Sequence, residues 1–172
     1  MTEFIASHIR AVPDFPKPGI LFRDLAPLLA SAEAFQATTA ALTALAGPFD
    51  LIAGIEARGF LFGAALAQAT RRGMVIVRKP GKLPGATIGH DYALEYGTDR
   101  LELLADAVPA GSRVLLVDDV LATGGTAEAA VHLLRKAGAE VSQALFVLEL
   151  VALGGAARLA AQQVGPAALV RL

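Results

Sequence analysis

Asp118 and Asp119 sit between an apolar run, Val114-Leu115-Leu116-Val117, and the tetrapeptide Thr123-Gly124-Gly125-Thr126. Four consecutive apolar residues predict a strand buried on both faces, ending at the two carboxylates. Helical spacing over residues 126–137 predicts a helix starting at the second threonine. Backbone N–H groups of Ala122, Thr123, Gly124, Gly125 and Thr126, with two hydroxyls, then converge where a helix dipole is positive, which makes a phosphate cradle. Carboxylates repel phosphate, so Asp118 and Asp119 must face another part of the same ligand. A vicinal diol, which donates hydrogen bonds, suits them. A sugar phosphate satisfies both halves.

Two familiar nucleotide sites are excluded by what the chain lacks. An apolar strand ending in two Asp also fits a nucleoside triphosphatase, but there is no G-x-x-x-x-G-K-[ST] loop. A dinucleotide fold needs G-x-G-x-x-G after a strand, and that is absent too. An ordinary strand-to-helix turn would use Gly for its dihedrals and Thr as a cap, but would not need the preceding Asp pair.

The stretch over residues 114–126 resembles the phosphoribosyl pyrophosphate signature of type I phosphoribosyltransferases. Four other segments are similar to the adenine-specific members, in the family's order: FPKPGILFRD (15–24), GIEARGFLFGAALA (54–67), VRKPGKLPG (77–85) and YALEYGTDRLE (92–102). The resemblance implies displacement of pyrophosphate from 5-phosphoribosyl 1-pyrophosphate by adenine, giving AMP with inversion at the anomeric carbon. It also implies one domain over residues 1–172, with an N-terminal hood segment over 1–33, a mobile flap over 79–95 and a homodimeric assembly. The implied cofactor is Mg2+, a hard cation held mainly by substrate and water, with Asp118 or Asp119 as the protein's contribution.

The remaining candidates take their roles from position, chemistry and this resemblance together. Glu56-Ala57-Arg58-Gly59 follows a predicted buried strand and precedes a helix, repeating an anion-site geometry, and Arg58 can give bidentate donors to pyrophosphate; Glu56 reads as structural. Arg78, Lys79 and Lys82 lie in a loop broken by Pro80, Gly81, Pro84 and Gly85. In the family this stretch helps bind pyrophosphate, where cations stabilise departing negative charge. Glu95 matches the family's catalytic glutamate, a carboxylate able to take the proton that adenine loses as it attacks. Phe22 offers a ring face for stacking, worth about 1 to 3 kcal/mol, and the positions of Leu21 and Arg23 contact the base through backbone in the family. One carbonyl and one amide in fixed order would discriminate adenine from an oxopurine by about 10⁴. The residues 85–92 resemble the loop that closes over reacting substrates and excludes water. Gly85-Ala86 and Gly89-His90-Asp91 depart from the usual family residues there, and the chain ends at Arg171-Leu172, shorter than many relatives, which leaves the family's final strand without an assignment.

Elements must position these groups. The pattern predicts helices over 2–11, 34–46, 60–70, 126–137 and 156–163, and an extended segment over 13–24. Strands are predicted over 51–55, 75–77, 113–117 and 141–150, with strand material over 92–104 around a turn near Gly97-Thr98. Alternation of strand and helix gives an α/β fold with a mainly parallel sheet flanked by helices, and its ligands bind at the carboxyl ends of the strands. Bulk composition agrees. Apolar residues make up 55% of the chain and charged residues only 18%, an excess that an oligomer interface explains. A formal net charge of −1 gives no sign of nucleic-acid or membrane attraction. With no cysteine, disulfides, thiol nucleophiles and thiolate metal sites are excluded. His8, His90 and His132 show no partner spacing for a metal triad. No leader or membrane-length apolar stretch is seen, so a cytoplasmic location is expected.

Two other readings stay open at this level: a phosphoribosyltransferase for another purine, hypoxanthine or xanthine, and a non-enzymatic regulator that senses phosphoribosyl pyrophosphate and binds nucleic acid. A regulator would carry a basic patch or an added DNA-binding domain. The chain has neither and keeps Lys82 and Glu95.

Overall fold

The computed structural model describes residues 1–93 and 97–172. Helix α1 (Thr2–Ser7) leads into an antiparallel hairpin of β1 (Arg10–Pro13) and β2 (Leu21–Asp24). The helix predicted to reach Ala11 stops early because Arg10 and Ala11 pair with Asp24 and Arg23, and Arg10 Nη2 lies 2.5 Å from the Asp24 carboxylate. Helix α2 (Ala26–Ala30), which the sequence pattern did not announce, precedes α3 (Ala32–Leu45), whose start is capped by Ser31 Oγ accepting from the Ala34 amide at 3.2 Å.

The chain then alternates as the pattern predicts, through β3 (Leu51–Ile55), α4 (Gly59–Thr70) and β4 (Gly73–Val77). A second antiparallel hairpin follows, β5 (Thr87–Ala93) with β6 (Thr98–Leu104). Most of the stretch expected to be a loop over 85–92 is therefore strand. Next come β7 (Arg113–Leu121), α5 (Gly125–Lys136), β8 (Glu140–Glu149), α6 (Gly155–Ala161) and β9 (Gly165–Arg171). The main sheet is entirely parallel in the order β4-β3-β7-β8-β9. The fold class read from the sequence, a mainly parallel sheet flanked by helices, is the one observed.

Strand β7 shows how the core is split. Val114 and Leu116 face a cluster with α5, α6 and the β6 residues Leu101 and Leu103, while Leu115 and Val117 face Ile5, Leu28, Leu42 and Phe62. This is the alternation of a strand buried on both faces. Two differences from expectation matter for the site. First, β7 runs on to Leu121 because β8 offers ladder partners as far as Glu149, so Asp118 and Asp119 lie inside the strand rather than after it. Second, β9 closes the sheet edge beside β8, although its Ala-rich sequence carries little strand signal.

Close packing of α4 on β7 depends on Gly59. A Cβ there would lie 2.7 Å from Asp118 Oδ1 and 2.9 Å from the Val117 carbonyl oxygen, and the second is backbone that cannot step aside. Overpacking of this kind costs about 1 to 3 kcal/mol. Gly59→Ala is expected to lower the melting temperature measured by calorimetry, at about 2–4 °C per kcal/mol for a chain of this size.

Candidate active site

At the carboxyl ends of β3 and β7 lies a cavity of about 370 Å³. Its wall is built by the turn Glu56-Ala57-Arg58, by Lys79, and by the continuous stretch from Asp118 to Ala127. This is where ligands bind in an open parallel sheet. The loop between β7 and α5 turns through Gly124, whose φ of +80° is a left-handed conformation favouring glycine. Helix α5 starts immediately after it, and the Glu128 amide donates to the Gly124 carbonyl at 2.8 Å. The amides before Glu128, with the Thr123 and Thr126 hydroxyls, thus form the cavity wall at a helix N-terminus.

The charges around this cavity are paired with one another. Arg58 Nε binds the buried Asp119 carboxylate, and the Arg58 guanidinium lies 5.7 Å from the centre of the Phe22 ring. The Asp119 amide donates to Asp118 Oδ1 at 2.9 Å. Burial, followed by the adjacent charge of Asp119, lifts the Asp118 carboxyl well above the usual carboxylate range. Glu56 behaves oppositely. Burial opposes its charge, but Lys82 Nζ at 2.5 Å, the Lys79 amide at 2.9 Å and Arg78 Nε at 3.2 Å hold its pKa down at about 2. One carboxylate therefore gathers the loop that carries all three cations. Lys79 Nζ is itself bound by Asp99 and lies 3.1 Å from the Tyr92 hydroxyl.

Comparison with known proteins agrees with this geometry. Residues 30–154 match the phosphoribosyl transferase domain. The adenine phosphoribosyltransferase of Sphingopyxis alaskensis is 58% identical over 159 residues, covering 91% of this chain and 86% of that protein. This chain belongs to the adenine phosphoribosyltransferase family. Among solved structures, the family member from Thermoanaerobacter pseudethanolicus aligns with a TM-score of 0.94 at 48% identity, covering 100% of both chains. The Saccharomyces cerevisiae member, crystallised with an imino-altritol bisphosphate and adenine, aligns with a TM-score of 0.91 at 38% identity, covering 98% of this chain and 97% of that one.

Of the residues singled out from the sequence, the structure brings Arg58, Lys79, Asp118, Asp119, Ala122, Thr123, Gly124, Gly125 and Thr126 into one cavity wall. Arg78 and Lys82 stand beside it on Glu56. Leu21, Phe22 and Arg23 form β2 of the first hairpin, apart from that wall. Phe22 makes an edge contact with Phe15 at 5.1 Å between centroids, and with Val12, Phe15 and Asp24 it lines a separate hollow of about 280 Å³. Leu21 is exposed and Arg23 half-buried. Glu95, the residue matching the family's catalytic glutamate, lies outside the described residues. The histidines are less dispersed than their spacing indicates: His90 on β5 and His132 on α5 stack with centroids 5.2 Å apart.

The sequence reading misses three residues, Tyr92, Asp99 and Arg158, and gives Glu56 only a structural part. Glu56 organises the cations as well as supporting the turn. Tyr92 and Asp99 hold Lys79, and they pair directly across the second hairpin, a register that the turn near Gly97 could have announced. Arg158 on α6 binds Glu128 at 3.0 Å and donates to the Thr123 carbonyl at 3.4 Å, bracing the cradle from a helix with no motif of its own.

The raised Asp118 pKa has a consequence for stability. A carboxyl whose folded pKa exceeds its unfolded value removes stability as pH rises through that interval, and leaves a cost at neutral pH. Asp118→Asn keeps the acceptor for the Asp119 amide and removes the charge. The variant is expected to melt higher than the parent at pH 7 but not below about pH 4, near the ordinary Asp value, and to bind phosphoribosyl pyrophosphate more weakly. Melting curves across pH, with calorimetric titration of the substrate, check both parts.

Proposed function

We propose that this protein transfers the phosphoribosyl group of 5-phosphoribosyl 1-pyrophosphate to adenine, forming AMP and pyrophosphate in purine salvage. The observation that carries the reading is a single cavity in which a backbone phosphate cradle, an Asp pair and Arg58 meet in a chain of this family. The 5-phosphate is assigned to Ala122, Thr123, Gly124, Gly125 and Thr126, and the ribose diol to Asp118 and Asp119. The leaving pyrophosphate is assigned to Arg58, Arg78, Lys79 and Lys82. As the adenine nitrogen bonds to the anomeric carbon, the bond to the pyrophosphate oxygen breaks and the electron pair leaves with that oxygen. Cations already gathered on Glu56 meet the charge growing there. Glu95 is assigned the proton released by adenine.

Adenine itself is assigned to the first hairpin, with Phe22 as the stacking face and the backbone of Leu21 and Arg23 as the reading edge. What supports this placement is the contact of Phe22 with Arg58, which in turn binds Asp119, so the hairpin adjoins the end of the cavity given to ribose. The Saccharomyces cerevisiae relative holds adenine in its crystal structure, in keeping with adenine as the base here. Residues 1–33 are read as the hood and 79–95 as the flap closing over the reactants. Mg2+ is the proposed cofactor. Among the described residues no three His, Cys, Asp or Glu groups gather to hold a metal. The hard oxygens of Asp118 and Asp119 suit a cation whose other ligands are substrate and water. When bound, such an ion supplies Lewis-acid charge to the pyrophosphate. No described helix is long and apolar enough to cross a membrane. A homodimer in the cytoplasm is the proposed form, and exposed Leu61 and Ile76 are apolar surface that a second subunit can cover.

Pyrophosphate release with Mg2+ and phosphoribosyl pyrophosphate, measured with adenine, hypoxanthine, guanine and xanthine in turn, tests the reading. Release is expected with adenine alone, and Glu95→Gln is expected to lower kcat by about 10²- to 10⁴-fold. Turnover of an oxopurine would overturn the base assignment. Tight binding of the sugar pyrophosphate without turnover of any base would favour a sensor.

A further inference from the structure

Lys79 lines the cavity, yet its charge is not free. Its ammonium binds Asp99, and the Tyr92 hydroxyl lies 3.1 Å from Nζ and 3.0 Å from the Asp99 carboxylate. A phenol has one proton, so while Tyr92 donates to Asp99 it accepts from Lys79. The trio is closed by backbone register, because Tyr92 and Asp99 are direct partners across β5 and β6. The hairpin is fastened to the end of β4 by paired backbone bonds between Arg78 and Glu102, at 2.9 and 2.7 Å, which hold residue 79 beside it. Asp99 thus faces Lys79 by construction of the fold.

Resting on the assignment of Lys79 to pyrophosphate, we propose that Asp99 is a positioning residue and counterion that tempers the pull of Lys79 on pyrophosphate. An anion touching the Lys79 ammonium lies within about 6 Å of the Asp99 carboxylate, and repulsion at that distance in water is worth about threefold in affinity for each unit of charge. The Lys79 hydrogen bond, ahead of smaller contributions, keeps the Asp99 carboxyl below its usual range, so the repulsive charge persists at neutral pH. The benefit concerns turnover. A site that grips the pyrophosphate end of the substrate must also let pyrophosphate go as product, and a cation shared with Asp99 and Tyr92 offers its remaining donor without its full field.

The test is calorimetric binding of pyrophosphate and, separately, of adenine to the full chain. The four proteins are the parent, Asp99→Asn, Lys79→Met and the double variant. Asp99→Asn is expected to bind pyrophosphate about three- to tenfold more tightly, with the gain shrinking as salt is raised and with adenine affinity unchanged. Lys79→Met is expected to bind it more weakly, because it leaves Asp99 unpaired, and the double variant is expected to recover part of that loss. Misfolding cannot produce a salt-sensitive gain in affinity, and Asp99→Ala serves as a second neutral variant should the first not fold. Weaker or unchanged pyrophosphate binding in both neutral variants, while Lys79→Met is impaired, would overturn the proposal and leave the assignment of Lys79 standing. Unchanged binding in Lys79→Met would instead overturn that assignment and the proposal with it.

Discussion

Two adjacent carboxylates on an interior strand of a parallel sheet are the constraint around which this molecule is arranged. Isolated buried charges are costly, and neighbouring like charges add to the cost. Asp119 is matched by Arg58 from the next strand's turn, while Asp118 is left with a raised pKa and one backbone donor. That match requires the β3–α4 turn to reach β7, so the helix following Arg58 must touch β7. It does so at Gly59, where no Cβ could fit without displacing the strand's own backbone. The position of α4, the depth of the cavity and the placing of Arg58 are thus one packing solution.

The same economy recurs at the opposite wall. Glu56, from the turn that supplies Arg58, pins Arg78 and Lys82 and the amide of Lys79. Free Lys and Arg side chains lose much rotamer freedom on binding an anion. Here part of that loss is taken at folding, because each of these cations is already held by a carboxylate. Neither hairpin belongs to the parallel sheet. The first reaches the site through the Phe22–Arg58 contact and the second through the Arg78–Glu102 bridge and the Lys79 cluster. The cavity thus has a sheet-borne floor, and each hairpin is attached to it by its own separate contacts.

How much of this was legible in the sequence follows from the range of the forces involved. The parallel sheet was readable because Leu51–Ile55 and Val114–Val117 are apolar on both faces and the intervening helices carry their own period. The turn and helix start that line the cavity are readable because Thr-Gly-Gly-Thr after two Asp has a local mechanism. The start of the first hairpin, Arg10 and Ala11, reads as helix in the sequence, since Arg10 takes its conformation from Asp24, a partner fourteen positions away. The extension of β7 through the Asp pair was set by β8, and β9 by the free edge of β8, so neither carries its cause in its own residues. Arg158 is the limiting case: its contact with the cradle exists only because α6 folds back over Gly124, and nothing near Arg158 in sequence marks it.

Local pattern therefore reveals groups that meet a ligand through backbone, whereas groups that regulate charge emerge only with the fold. Amides at a helix start must be preceded by a turn, and the turn needs glycine, so the cradle writes itself into a short string. A counterion has no such requirement. Glu56, Asp99 and Glu128 can come from any element that passes nearby, and each is an ordinary carboxylate in the sequence. Yet these three hold Arg78, Lys82, Lys79 and Arg158, cations in and around the cavity wall. The charge that the cavity wall presents is consequently a property of tertiary pairing, and it can change in relatives that keep every residue of the signature.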